Sequence, residues 1–171
     1  MRGGAPESAL EAALAQLQRA GKIVREGPVL RHAEHQPRLA REDERLWKQV
    51  HPLLAAQNLR PMRVRELAAE LSLDPEPLTR FLKRIERFGR VAQVAPNRFF
   101  LPETIEGLAA IARELAKASP EGRFTAAEFK DRSGIGRNLT IEVLEYLDRA
   151  GVTRREGEAR TVLRSAAEVF G

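Results

Sequence analysis

The sequence predicts a mainly α chain of tandem winged helix-turn-helix units, each closed by a small β-hairpin wing. Three observations predict it. One apolar pattern occurs three times, a strand-like pair follows each copy, and a second amphipathic segment precedes the last two copies at a constant offset.

The pattern first reads Leu10, Ala13, Leu14, Leu17 and then Gly21. Its second copy is Leu78, Phe81, Leu82, Ile85 and Gly89, and its third is Thr140, Val143, Leu144, Leu147 and Gly151. Apolar side chains at i, i+3, i+4 and i+7 mark one buried helix face. A glycine just beyond the last turn is a usual helix stop, because it tolerates the left-handed conformation. Copies one and two are 68 residues apart, and copies two and three 62.

Each glycine is followed by two short β-prone runs: Lys22 to Val24 with Val29-Leu30, Val91 to Val94 with Phe99 to Leu101, and Val152-Thr153 with Thr161 to Leu163. Turn-rich residues separate them, Glu26-Gly27-Pro28, Ala95-Pro96-Asn97 and Glu156-Gly157-Glu158, so each pair reads as a hairpin. Ahead of copies two and three, residues 64–71 and 125–132 read as further helices, and Thr125 with Glu128 reads as a capping box. The turns Ser72 to Pro75 and Ser133 to Gly136 follow them, so helix, tight turn, helix and hairpin appear in order.

A leading helix completes each of these two units. Residues 43–58 would bury Leu46, Trp47, Val50, Leu53 and Leu54, and residues 105–118 would bury Ile105, Leu108, Ile111, Ala112 and Leu115. The expected units are therefore 1–38, a partial winged helix holding only a second helix and a wing, then 39–102 and 103–171. The incomplete first unit is expected to be either degenerate or cut from a longer protein.

Composition limits the function. In 171 residues, 31% are charged and 43% hydrophobic, which is a globular rather than a disordered balance. No apolar run approaches the ~20 residues a membrane helix needs, and no apolar core follows Arg2 to make a signal peptide. There is no cysteine, so disulfides and Cys-based zinc sites are excluded, and a cytoplasmic location is natural. Net charge is +5, with most of the positive charge on arginine. Arginine's planar fork suits phosphates and base edges, although a GC-rich genome would favour it equally.

Residues 129–137 read Phe-Lys-Asp-Arg-Ser-Gly-Ile-Gly-Arg, and residues 144–155 read Leu-Glu-Tyr-Leu-Asp-Arg-Ala-Gly-Val-Thr-Arg-Arg. These stretches resemble the terminal winged helix of the bacterial selenocysteine-specific elongation factor family. Looser similarity extends over the middle unit and the partial first unit. The resemblance implies an mRNA-binding array whose last unit, 103–171, grips a hairpin just past a UGA codon, the selenocysteine insertion (SECIS) element. The family's GTPase is not expected here, since no G-x-x-x-x-G-K-[ST] loop occurs. The chain would then bind RNA without catalysis, cofactor or metal, as a monomer. One position departs from the family: Asn138 stands where the family usually has Lys, removing a charge beside the turn.

The residues themselves suggest how contact would be made. A helix N-terminus presents unpaired N–H groups and partial positive charge to phosphate. Gly134 and Gly136 let the turn backbone approach a ligand, while Arg137 and Asn138 start the helix and Arg132 closes the one before. Arg154, Arg155 and Arg160 lie on the wing, with Arg164 after it. The helix body between these two basic lips carries Glu142, Glu145 and Asp148, which suits a hairpin loop better than a DNA major groove. Other readings stay open. Arg154 and Arg155 also serve an edge strand by blocking aggregation, Arg132 with Asp131 also makes an ion pair, both glycines also make a plain turn, and Tyr146 fits packing better than base stacking.

A secondary basic face is expected on the middle unit, where Arg80, Lys83, Arg84 and Arg87 fall at i, i+3, i+4 and i+7. Residues 41–102 hold twelve Lys and Arg against eight Asp and Glu, and residues 103–171 hold eleven against twelve. The charge thus points at the middle unit and the motif at the last. Either the middle face touches other RNA, such as ribosomal RNA, or it is a solvated surface. His32 and His35 lack a third ligand, and His51 lies alone on a helix, so neither metal nor catalysis is expected. The rival functions are a winged-helix DNA-binding regulator, for which no long dimerisation helix is visible, and a tandem winged-helix protein scaffold.

Overall fold

The structure, a computed structural model, describes residues 7–20, 23–26, 29–32 and 39–170. The chain divides into two compact units, Met1–Arg38 and Leu39–Gly171. The expected helix stop at Gly21, the turn residues Gly27 and Pro28, His35, and the boundary at Gln36 to Arg38 lie outside the described residues.

The first unit holds α1 (Glu7–Arg19) and an antiparallel hairpin of β1 (Ile23–Glu26) and β2 (Val29–His32), with Ile23 opposite His32 and Glu26 opposite Val29. The apolar face expected on α1 is only partly covered. Leu14 is half-buried, Ala13 is exposed and Leu17 is 39% exposed. One helix and a two-stranded hairpin have too little apolar surface to close over it.

In the second unit, α2 (Arg41–Ala56) begins two residues ahead of the expected start and buries Trp47, Val50 and Leu54. The chain turns at Asn58, whose φ of 51° breaks the helical path. Then come α3 (Val64–Glu70), α4 (Pro75–Glu86) and the hairpin of β3 (Ala92–Ala95) with β4 (Arg98–Phe100). The series repeats as α5 (Pro102–Ala118), β5 (Arg123–Thr125), α6 (Ala126–Ser133), α7 (Arg137–Arg149), β6 (Thr153–Glu156) and β7 (Ala159–Val162), followed by α8 (Ala166–Phe170). This is a mainly helical, tandem winged helix-turn-helix architecture. Both helix-stop glycines take left-handed backbone, at φ 69° for Gly89 and 77° for Gly151.

Two elements were not expected. Strand β5 joins the last wing as a third strand, in the order β5-β7-β6, with Phe124 opposite Arg160. Its counterpart in the middle wing is a single bridge between Arg63 and Arg98. The short α8 is preceded by Ser165, whose N–H and hydroxyl both donate to the Glu168 carboxylate, at 2.6 and 2.9 Å.

Two apolar cores form. One gathers Trp47, Val50, Leu67, Leu82, Ile85 and Phe99, and the other Ile105, Leu108, Phe124, Phe129, Leu144 and Leu147. The cores meet at β4, where successive residues face opposite ways. Phe99 enters the first core and Phe100 the second, and neither exceeds 1% exposure.

Candidate nucleic-acid interface

The α6–α7 turn is built by local chemistry. The Thr125 hydroxyl accepts from Glu128 N at 3.3 Å, while the Glu128 carboxylate accepts from Thr125 N at 2.6 Å. The capping box read from the sequence is therefore present, and donation from Thr125 N and, at 2.8 Å, from its hydroxyl holds the Glu128 carboxyl below its ordinary pKa. At the other end, Gly134 adopts φ 67° and donates from N to Lys130 O at 2.9 Å, closing α6. Ile135, 3% exposed, pins the turn into the core. Gly136 has an ordinary φ of −69°, so its backbone does not require glycine. A Cβ there would meet nothing within 4 Å, so the residue simply leaves the mouth of the turn open.

Helix α7 starts immediately after it with Arg137 and Asn138, both exposed, and no acidic residue lies in its first turn. The backbone N–H groups of a first turn have no intrahelical acceptor. Beside this end lies a groove of about 420 Å³ between α6, α7 and the wing, lined by Lys130, Arg137, Thr140, Ile141 and Glu158. Thr140 Oγ1 is buried there without a hydrogen-bond partner, and Ile141 is 40% exposed. A polar atom lacking a partner beside an exposed apolar side chain suits a planar, partly polar ligand.

The wing arginines divide. Arg154 and Arg155 are exposed on the edge strand β6. Arg154 bonds Glu156 at 2.8 Å, and Arg155 Nε donates to Gly157 O at 2.9 Å. Exposed pairs of this kind are worth little and exchange partners readily. Arg160, expected among the surface contacts, is instead 4% exposed, with Nε on Asp148 Oδ2 at 3.1 Å. The unforeseen β5 makes β7 the central strand, and Arg160, opposite Phe124, turns its side chain to Asp148 of α7. Asp148 also accepts from Thr153 Oγ1 at 2.5 Å, so it is a half-buried bracket between helix and wing rather than part of an acidic outer face. Arg132 pairs with Glu114 at 3.1 Å, while Asp131 takes Lys130, so the expected Arg132–Asp131 pair is not formed. Tyr146 is half-buried against the last core, and burial raises its phenol pKa, as the packing reading requires.

The basic face of α4 is partly neutralised. Arg80 pairs with Glu76, and Arg84 grips Asp43 through two bonds of 2.7 and 3.0 Å. The Arg84 bonds hold the Asp43 carboxyl below the usual carboxylate range. Lys83 and Arg87 stay exposed. A different cluster has no signal in the sequence: Arg60, Arg63 and Arg98 of the middle repeat line a second cleft with Gly136, Arg137 and Asn138. These arginines have no shared period, and only tertiary packing brings them together. His51 lies 3.9 Å from Glu103, a surface pairing. Among the described residues, no group of three or more His, Cys, Asp or Glu could hold a metal ion, and no helix is long and apolar enough to cross a membrane.

Comparison with known proteins agrees with this architecture. Residues 116–162 match the family described as elongation factor SelB, winged helix. The selenocysteine-specific elongation factor of Escherichia coli is 32% identical over 124 residues, covering 72% of this chain and 19% of that protein. That of Haemophilus influenzae is 29% identical over the same length, covering 72% and 20%. The chain thus spans about a fifth of the length of these relatives. The solved mRNA-binding domain of E. coli SelB, in complex with SECIS RNA, superposes with a TM-score of 0.66 at 31% identity, covering 74% of this chain and 100% of that one. Asn138, at the open end of α7, and the arginines around it therefore belong to a chain of the selenocysteine-specific elongation factor (SelB) family, which it matches in the winged-helix region.

Proposed function

We propose that this chain is the mRNA-reading part of a selenocysteine-specific elongation factor, and that its last repeat holds a SECIS-type hairpin downstream of a UGA codon. The observation that carries the reading is the open start of α7, with Arg137 and Asn138 exposed and no acid in its first turn, beside a groove with an unsatisfied hydroxyl. Phosphate would sit on the α7 N–H groups and Arg137, with Arg132, Arg154 and Arg155 exchanging their surface partners for RNA oxygens. An unstacked base would enter the groove against Ile141, with Thr140 Oγ1 offering the polar contact and Asn138 reading an edge at its mouth. Gly134 sets the turn that exposes these groups. The function is binding, without catalysis, and it is exercised in the cytoplasm as a monomer.

The test is titration of labelled hairpins taken from just downstream of in-frame UGA codons in its own genome, followed by anisotropy at two salt concentrations. Duplex DNA and a scrambled hairpin are the controls. Selective, salt-sensitive binding to one hairpin class is expected. Equal weak binding to all three would reduce the interface to nonspecific electrostatics, preference for the duplex would favour a DNA regulator, and no binding would favour a protein scaffold.

A further inference from the structure

The cleft on the other side of the α7 start encloses about 440 Å³, and its lining includes four arginines and no carboxylate-bearing residue. Three come from the middle repeat. Arg60 lies in the turn after α2 and donates through Nη2 to the carbonyl of Gly134, the residue that ends α6. Arg98, on β4, is 15% exposed and donates through Nη1 to Pro61 O at 2.6 Å, with Nε 3.7 Å from Glu142 Oε2. Arg63 is exposed, just ahead of α3, and its guanidinium has no partner among the described residues. Arg137, from the last repeat, is likewise exposed and without a side-chain partner among them.

Like charges gathered on the walls of a concavity repel one another, and they focus a positive potential outward. Two of these guanidiniums are fastened by carbonyls, which fix their place; no carboxylate pairs with Arg60 among the described residues, while Glu142 partly offsets the charge of Arg98. The other two point at nothing. An arrangement fixed on one side and unsatisfied on the other is suited to an anion brought from outside. Guanidinium forks match the paired oxygens of a phosphate in particular. Arg137 lines both this cleft and the groove beside the wing, so an anionic polymer passing the α7 start would meet both sites in succession. A small anion would occupy only one.

We propose that the Arg60–Arg63–Arg98 cleft is a second phosphate-binding site, through which the middle repeat holds the backbone of the same RNA as it leaves the α7 contact. This rests on the RNA-binding reading above and adds a contact from outside the last repeat. It also adds to the positive charge that the sequence attributes to α4, where Lys83 and Arg87 stay exposed. Arg80 and Arg84 are engaged there, whereas Arg63 is available.

The experiment compares the whole chain with Arg63→Ala, Arg63→Lys, Arg137→Ala and, as a remote control on α5, Lys117→Ala. Each is titrated with the hairpin that binds best, over a salt series. Arg63 contributes only backbone bonds to the fold, and circular dichroism and a urea melt check each variant. Arg63→Ala is expected to weaken binding several-fold and to lower the slope of log K against log salt by about 0.7–0.9, one phosphate contact. Arg63→Lys should restore most of that slope, and Lys117→Ala should change neither quantity. An Arg63→Ala protein with wild-type affinity and slope, alongside a weakened Arg137→Ala, would overturn the cleft and leave the hairpin reading intact. A wild-type chain that binds no hairpin would overturn both.

Discussion

The middle and last wings occupy equivalent places in a repeat of 62 residues, yet they do opposite work. Where the middle wing has Phe99 and Phe100, the last has Thr161 and Val162. Alternate residues of a strand face opposite ways, so two adjacent phenylalanines give the middle wing two apolar faces, and each is buried in a different core. The last wing has one covered face and an edge strand carrying exposed Arg154 and Arg155. The second helices differ in the same sense. Helix α4 starts at Asp74-Pro75-Glu76, whose carboxylates suit its own dipole and repel a phosphate, while α7 starts at Gly136-Arg137-Asn138. One winged helix is thus consumed as the support of the next, and side-chain alternation and first-turn charge decide which is which.

The largest effect is expected from removing the shared support. Phe100→Ala should cost about 3–5 kcal/mol, the range for a fully buried phenylalanine. Because Phe100 leaves the middle wing to fill the last core, a urea melt should show one earlier transition rather than an early step for half the molecule. Two separated transitions would mean that the repeats of residues 39–171 are stable independently and that the middle wing is not their common support.

A second contrast lies in one repeat position used in two ways. Arg160 and Arg98 are 62 residues apart. Arg160 bonds Asp148 within its own repeat, whereas Arg98 reaches Pro61 O and, across the repeats, Glu142. Arg160→Ala strands a half-buried carboxylate and should cost about 2–4 kcal/mol. Arg98→Ala leaves one carbonyl short of a donor, removes the partly exposed pairing with Glu142 and should cost about 1–2 kcal/mol. The reverse order in denaturation midpoints would show that the junction, not the wing bracket, is the more tightly held.

These pairs also mark how far the sequence could be read. The repeat, the helices, the hairpins and the Thr125–Glu128 box were legible because period, glycine and cap are local signals. Strand β5 was not, since Arg123-Phe124-Thr125 has a single apolar residue and becomes a strand only by pairing with β7. The burial of Arg160 was hidden likewise, since it follows from packing on Asp148 of α7 and not from a local signal. Arg137, Asn138, Arg154 and Arg155 were found on the surface where a binding residue must be, but Arg60, Arg63 and Arg98 have no common period and meet only after packing.

Binding should separate the two wings as cleanly as stability does. Arg155→Ala is expected to weaken hairpin binding by about 1 kcal/mol, roughly fivefold, with a melt within about 0.5 kcal/mol of wild type. Its repeat counterpart Gln93 bonds through its backbone N to Glu86 Oε1, at 2.6 Å, and through Nε2 to Pro96 O, at 3.0 Å. Gln93→Ala should leave affinity unchanged. Equal losses from both variants in the anisotropy titration would place RNA along both wings and undo the contrast drawn between them.

The smallest expected effect is the most discriminating. Arg63 and Thr125 hold the same place before α3 and α6. Thr125 accepts from Glu128 N, whereas a guanidinium has no lone pair to offer, so before α3 only the return bond exists, Arg63 N to Glu66 Oε2 at 2.8 Å. Arg63 already has extended backbone, φ −67° and ψ 152°, which suits an N-cap. Arg63→Thr should therefore complete the box and raise stability by about 0.5–1 kcal/mol at neutral pH. In the existing box the folded-state pKa of Glu128 is depressed, so its contribution is present above the ordinary carboxylate range and fades as pH falls through the depressed value. The bond that Arg63→Thr adds, from Glu66 N to a neutral hydroxyl, has no titrating partner, so its gain should persist in a melt near pH 3 as at pH 7, unlike the Glu128 contribution. The same substitution removes a cation from the cleft, so hairpin affinity should fall while stability rises. Opposite signs would mean that this position gave up a helix cap for an RNA contact. A stability gain with unchanged affinity would make Arg63 merely an unimproved cap, and the middle repeat purely a support.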